Sequence, residues 1–371
     1  MVYSSHDHRR CDPQQVSASV GRQHVAAAIP FVRASAFAPL VSLLDGMGAP
    51  VDRWLRRTHI SSLLICDPEA LVPLFPIYRF IELAARHEHL EDLGRLAGQR
   101  ASAFELGAFG NALSGASRVY DYVQTGIRLI GELSRGTRLW LSIEDDMLRI
   151  NQHLAGPPGF GRCIADVYTL TMTISMLRRF LGPAWSPGEV RLMAGNGGLL
   201  GSSDVLGDAP LVIGQRHSSF TIACSLMNLP VQRDNASLSS GIKTTRGPGR
   251  VMPADFTTSI RQLIESLLPE QCPVIQTVAE AAGMSSRTFQ RRLGESGVSF
   301  TGLVTDCRIR FAKEWLAASD IPVAEIAATL GYTDASNFAR AFRRQTGMSP
   351  LAFRHGEPMG GMGSESRIGS A

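Results

Sequence analysis

Arg287, Gln290 and Arg291 stand at spacings of three and four residues within Ser285 to Leu293, and Ser336, Asn337 and Arg340 form a comparable set within Ala335 to Phe342. On a helix, positions i, i+3 and i+4 share a face, so each stretch offers one surface of hydrogen-bonding side chains. Arginine pairs bidentately with guanine, and glutamine or asparagine with adenine. Ser286, near a helix start beside free backbone N–H groups, suits a phosphate. Arg292, Arg343 and Arg344 lie further round their helices and are expected on phosphates rather than base edges. The chemistry on offer is the reading of a nucleic acid.

The elements that must position these side chains occur twice. Val278 to Leu293 and Ile326 to Phe342 each hold a short apolar helix, a glycine, a polar opening and a second helix with arginines. Gly283 matches Gly331, Phe289 matches Phe338 and Leu293 matches Phe342, with the second turn one residue longer. Phe289 and Leu293 lie four apart and point inward, as do Phe338 and Phe342. This is the pattern of a helix-turn-helix unit, whose second helix enters the major groove of double-stranded DNA. Between the units, Gly302 to Ala318 predicts a long helix able to hold both. Pro322 suits the first turn of the next helix, with Val323, Ile326, Ala327 and Leu330 as its inner stripe. From Asp255 to Arg354 there are eleven Lys/Arg and ten Asp/Glu, so the charge is placed on two faces rather than spread over the domain.

The whole chain has 371 residues, 44% hydrophobic and 19% charged, with a formal net charge of +4. That length accommodates two domains, and the charge is a mild lean toward anionic partners. The six cysteines are scattered without a CxxC pair, which fits reduced thiols. No stretch has the apolar length of a membrane span, and the alanine-rich run His24 to Phe31 is too short and too quickly followed by Arg33 for an export signal. The expected location is cytoplasmic, with the nucleoid.

Residues 1–34 are polar and aperiodic and are expected to be a disordered extension. Residues 35–227 read as an α+β domain for effector sensing and dimerisation. Helices are predicted over Ala38 to Leu44, Val51 to Thr58, Pro76 to Glu88, Leu90 to Ala103, Val119 to Leu133 and Asp166 to Leu181. Arg138 to Ile143 and Met147 to His153 alternate around an acidic turn, as in a hairpin, and Glu189 to Met193 and Ser219 to Ala223 read as short strands. Residues 228–253 are the expected linker, 254–355 an all-α DNA-binding domain, and 356–371 a disordered tail.

Other motifs fall short. His87-Glu88-His89 lacks the spacing that puts two histidines on one helical face, and His6, Asp7, His8 and Cys11 would hold metal only adventitiously. Gly195 to Gly198 with Gly201 has neither a Walker ending nor a clean G-x-G-x-x-G register. Gly294 to Gly297 is one residue short of a nucleophile elbow. No metal, cofactor or catalytic constellation is expected, and the chain is not read as an enzyme.

The C-terminal hundred residues resemble the AraC/XylS family of bacterial transcription regulators. AEAAGMSSRTFQRRL, CRIRFAKEWL and IPVAEIAATLGYTDASNFARAFRRQTGMSPLAFR carry the likeness, above all Gly331-Tyr332, Asn337-Phe338, Phe342, Gly347, Ser349-Pro350 and Arg354. The resemblance implies seven helices with two helix-turn-helix units, whose reading helices enter successive major grooves. It places base contacts at Ser286, Arg287, Gln290 and Arg291, then at Ser336, Asn337 and Arg340. Arg287 is a departure, because some members carry Trp there. GAFGNALSGASRVYDYVQTGIRLIGELSRGTRLWLSIEDD, MTISMLRRFLGPAWSPGEVRL and SFTIACS resemble, more diffusely, the sensor domain of ornithine-type AraC regulators rather than a cupin-like barrel. The implied function is a small-molecule-controlled regulator, an activator, acting as a homodimer with RNA polymerase as a further contact. An effector-independent regulator, or an enzyme domain tethered to DNA, is the alternative.

Overall fold

The computed structural model describes residues 28–195, 197–200, 206–231, 251–268 and 273–355. The N-terminal domain is α+β. Its elements run β1 (Phe31–Arg33), α1 (Ala34–Gly46), α2 (Val51–Arg57), α3 (Ser62–Ile65), β2 (Leu71–Pro73), α4 (Leu74–His87), α5 (Leu93–Arg100), α6 (Gly107–Leu113) and α7 (Val119–Leu133). They continue with β3 (Thr137–Glu144), β4 (Met147–Leu154), α8 (Phe160–Leu181), β5 (Val190–Arg191), β6 (Leu211–Val212) and β7 (Ser218–Ala223). The C-terminal domain is helical: α9 (Phe256–Leu267), α10 (Ile275–Ala281), α11 (Ser286–Glu295), α12 (Phe300–Ala318), α13 (Val323–Thr329), α14 (Ala335–Thr346) and α15 (Pro350–Arg354).

The alternating stretch around the acidic turn forms the predicted hairpin, with Glu144 opposite Met147 across a two-residue loop. It extends into a five-stranded sheet ordered β3-β4-β7-β5-β6, antiparallel except for the β5–β6 pair. Alternation sorts its faces. Leu148, Ile150 and Leu154 enter the domain core, which also takes residues of α7 and α8. The other face is polar: Arg149 forks to Glu144 at 2.9 Å and Glu189 at 2.8 Å, and Asn151 donates to Ser142 Oγ at 3.0 Å. The Arg149 hydrogen bond holds the Glu144 carboxyl below the usual carboxylate range. On the core side, buried Asp166 of α8 accepts from Gln152 of β4 at 2.8 Å and from Ser218 of β7, tying the long helix to the sheet.

Helices α5 and α8 approach too closely for side chains. A Cβ on Gly94 would fall 2.2 Å from the Ile164 carbonyl oxygen, and one on Gly98 2.0 Å from Thr171 Oγ1. Glycines four apart on one helical face allow that backbone contact.

Residues 28–34 depart from the expected disordered extension. Phe31–Arg33 pairs with Leu71–Pro73 as a two-stranded antiparallel ribbon. The ribbon lies between the domains because its pleat sends side chains both ways. Val32 and Val72 enter the N-terminal core, while Phe31 and Leu71, with Ile29, enter a core shared with α9, α10, α11 and α12. Met252, within the expected linker, is also buried in that second core. The rest of the linker from 232 to 250, the terminal segments 1–27 and 356–371, and the His6 to Cys11 group lie outside the described residues.

Candidate nucleic-acid interface

Each unit is built from a helix, a left-handed glycine and a capped second helix. Gly283 has φ of +70° and Gly331 of +75°, a conformation that costs a side-chain-bearing residue about 1–2 kcal/mol. Two residues past Gly283, the Ser285 side chain accepts the Thr288 N–H and caps α11. Three residues past Gly331, Asp334 accepts the Asn337 N–H at 2.7 Å and caps α14. The extra residue in the second turn is therefore the step that brings an aspartate to the cap position.

The inward faces are aromatic. Phe289 is fully buried between Phe256 and Phe300, with ring centroids 6.1 and 6.3 Å away. Phe338 and Phe342 are fully buried, 5.7 Å apart, with Tyr332 and Phe353 against them at 5.3 and 5.5 Å. The joining helix serves both units: Leu303, Val304 and Cys307 belong to the first core, Ile309, Ala312 and Leu316 to the second. Its link to α9 is reinforced by Arg261 on Asp306 at 3.2 Å. Burial pushes the Cys307 thiol up to about 12, so this cysteine packs as a small apolar group.

Outward, Arg287, Gln290 and Arg291 are exposed on α11, and Ser336, Arg340, Arg343 and Arg344 on α14. Ser286 and Asn337 are half-buried at the helix starts. The arginines are not all idle. Arg291 reaches Glu295 one turn on, at 3.0 Å, in an open pair that competing phosphates or bases can replace. Asn337 donates to Thr333 Oγ1 at 2.9 Å and accepts from Arg340. For Asn337 to bond any other group, that local network must open. Arg292 is turned inward: its guanidinium lies 4.7 Å from the Phe256 ring centroid and 3.6 Å from Met284 sulfur. It braces α11 against α9. Ser285, Thr288, Thr333 and Asp334 were not singled out from the sequence, although serine or aspartate three residues before a helix's first turn ends is a capping signature.

The two units differ in one respect that bears on function. The first is gripped by the N-terminal domain. A Cβ on Gly283 would fall 2.6 Å from the Phe75 ring of α4, Arg79 of the same helix pairs with Glu280 of α10 at 3.1 Å, and the Ile29 N–H donates to Ser259 of α9 at 3.0 Å. These contacts take the turn and the supporting helices and leave the outward face of α11 in solvent.

Architecture and surface define a two-domain protein with a double helix-turn-helix DNA-binding module. Residues 278–356 match the family profile described as a helix-turn-helix domain, and residues 48–231 that of the arabinose-binding domain of AraC transcription regulators. The chain belongs to the AraC-type transcription regulators. It is 39% identical over 99 residues to the regulator VqsM of Pseudomonas aeruginosa, across 26% of this chain and 30% of that protein. With the ornithine utilization regulator of the same organism it shares 35% over 97 residues, 26% of this chain and 28% of the relative. Those alignments span under a third of the relatives' length. With VirS of Mycobacterium tuberculosis it is 25% identical over 336 residues, covering 87% of this chain and 96% of that one. These relatives are named as regulators, not enzymes. Among the described residues no helix is long and apolar enough to cross a membrane, and no group of three or more metal-ligating side chains occurs.

Proposed function

We propose that the chain is a sequence-specific, effector-controlled transcription regulator, an activator that works as a homodimer. The observation that carries the DNA-reading part is the pair of capped helices, α11 and α14, mounted on one continuous helix with arginine and amide side chains outward. Arg287, Gln290 and Arg291 take one segment of major groove, and Ser336, Asn337 and Arg340 the next. Ser286, Arg343 and Arg344 fall to the backbone phosphates, where contacts position the protein without reading sequence. Arg292 reaches a phosphate only by leaving Phe256.

Effector control is supported by the grip of α4 on the first unit. A small molecule that binds one arrangement of the two domains more tightly than another shifts their population, and so shifts how α11 is presented. The activator role implies contact with RNA polymerase.

Selection of DNA from a random pool by the purified full-length chain tests the reading. The expected product is a recurrent motif of two half-elements about one helical turn apart. Selection without any shared motif would overturn it. Run-off transcription from the selected site with purified polymerase then tests activation, and sedimentation on and off DNA tests the dimer.

A further inference from the structure

An open cleft of about 340 Å³ lies where α4 meets the turn of the first helix-turn-helix unit. It is walled by α4, by the loop Pro157 to Gly159 with the first turn of α8, and by the turn at Gly283 of the DNA-binding domain. At about 30 Å³ per water, the space takes about eleven waters or one organic molecule of similar bulk.

The charges along the cleft are matched, with one exception. Arg79 pairs with Glu280 at 3.1 Å, and Glu82 with Arg86 at 3.0 Å. Arg162, on the first turn of α8, is buried to 5% exposure, yet it forms no ion pair among the described residues. Its Nη2 meets only the Met193 sulfur at 3.5 Å. Its Nε is sealed from solvent without a hydrogen-bond partner, and Nη1, also without one among the described residues, is not sealed. Asp166, one turn further along α8, spends its carboxylate on Gln152 at 2.8 Å and on Ser218 instead. Buried charges are ordinarily paired, so an unpaired guanidinium on a cleft calls for an anion.

The backbone points the same way. Helix α8 starts at this cleft, its N-cap residue is Gly159, and no side chain caps it. No acidic residue stands in its first turn. The first N–H groups of a helix have no partner within it, and they carry partial positive charge. Here they lie beside the guanidinium, a combination suited to a carboxylate. Phe75, Pro157, Pro158 and Met284 add apolar surface.

We propose that this cleft binds a small monocarboxylate with a hydrocarbon body, the carboxylate on Arg162 and the first turn of α8, the body against Phe75 and Met284. One negative charge suits the site better than two, because Glu82 and Glu280 also line it. The site rests on the reading that an effector controls this chain, and it gives that effector a chemical class and a place. A molecule seated there touches both α4 and the turn at Gly283, so its affinity depends on how the two domains sit.

The probes are 3-phenylpropanoate, hexanoate, the neutral 3-phenylpropanamide and inorganic phosphate, each titrated into the full-length chain by calorimetry. Saturable binding is expected for a carboxylate, about tenfold or more weaker for the amide, and none for phosphate. Arg162→Met removes the charge and should weaken the carboxylate about tenfold or more, the worth of a hydrogen bond to a charged group, while leaving the amide unchanged. Gly159 has an extended φ of −178°, and a Cβ there meets nothing within 4 Å, so Gly159→Phe should fold and block the cleft. If Arg162→Met does not fold, the carboxylate-to-amide ratio and Gly159→Phe decide. Absence of saturable binding by both carboxylates, equal affinity for acid and amide, or carboxylate binding unchanged in either variant would overturn the site. Affinity for the selected DNA is measured with and without the carboxylate. Arg162-dependent binding that leaves DNA affinity unchanged would uphold the site and overturn effector control through it.

Discussion

The first helix-turn-helix unit closes its core with residues from the N-terminal domain, Ile29, Phe31 and Leu71, whereas the core of the second, among the described residues, is built from residues 309 onward. The two share a joining helix, a left-handed glycine turn and a side-chain cap, yet one is built into the N-terminal domain and the other stands apart from it. Local sequence makes the units alike. Their surroundings tie one of them to the N-terminal domain and leave the other hung on α12.

Emptying each core should separate them most. Phe289→Ala and Phe342→Ala each remove a fully buried ring and are expected to cost about 3–5 kcal/mol. Hydrogen exchange after Phe342→Ala should rise in α13, α14 and α15 and leave the N-terminal domain protected. After Phe289→Ala it should rise in the β1–β2 ribbon as well. Equal confinement in both variants would erase the contrast.

The turn glycines come next. Alanine at Gly283 or Gly331 costs about 1–2 kcal/mol for the left-handed backbone. At Gly283 the new methyl also meets the Phe75 ring, so denaturant unfolding should show a larger loss there, and Phe75→Ala should cancel only that excess. On the DNA side, Arg291→Ala and Arg340→Ala are each expected to weaken binding to the selected site by about 1–3 kcal/mol. Each should relax base preference in a different half-element, as read by repeat selection with the variant. The smallest effect belongs to the Arg79–Glu280 pair. With both side chains about half exposed (53% and 54%), a double-mutant cycle should return about 0.2–1 kcal/mol, and less in high salt.

Much of this was legible in order along the chain. Phe289, Leu293, Phe338 and Phe342 announced their burial by spacing alone, because a helix of 3.6 residues per turn turns periodicity into a face. The β3–β4 hairpin announced itself by alternation for the same reason. Other features were hidden. Phe31–Arg33 is too short a strand to show a period, and it lies next to a polar, aperiodic segment. Arg292 looks like its exposed neighbours in sequence, and it takes Phe256 and Met284 beside it to turn it inward.

By itself, then, the sequence determined the local and repeating parts of this protein: the helices, the turns, the two faces of arginine and amide side chains and the family. These depend on residues a few positions apart, whose geometry the backbone dictates. The tertiary structure alone decided which unit is gripped and which arginine packs on an aromatic ring. Those outcomes join Phe31 to the core of α9 to α12, Phe75 to Gly283 and Arg292 to Phe256, residues far apart in the chain. No periodicity encodes such meetings, because they arise only when whole elements pack.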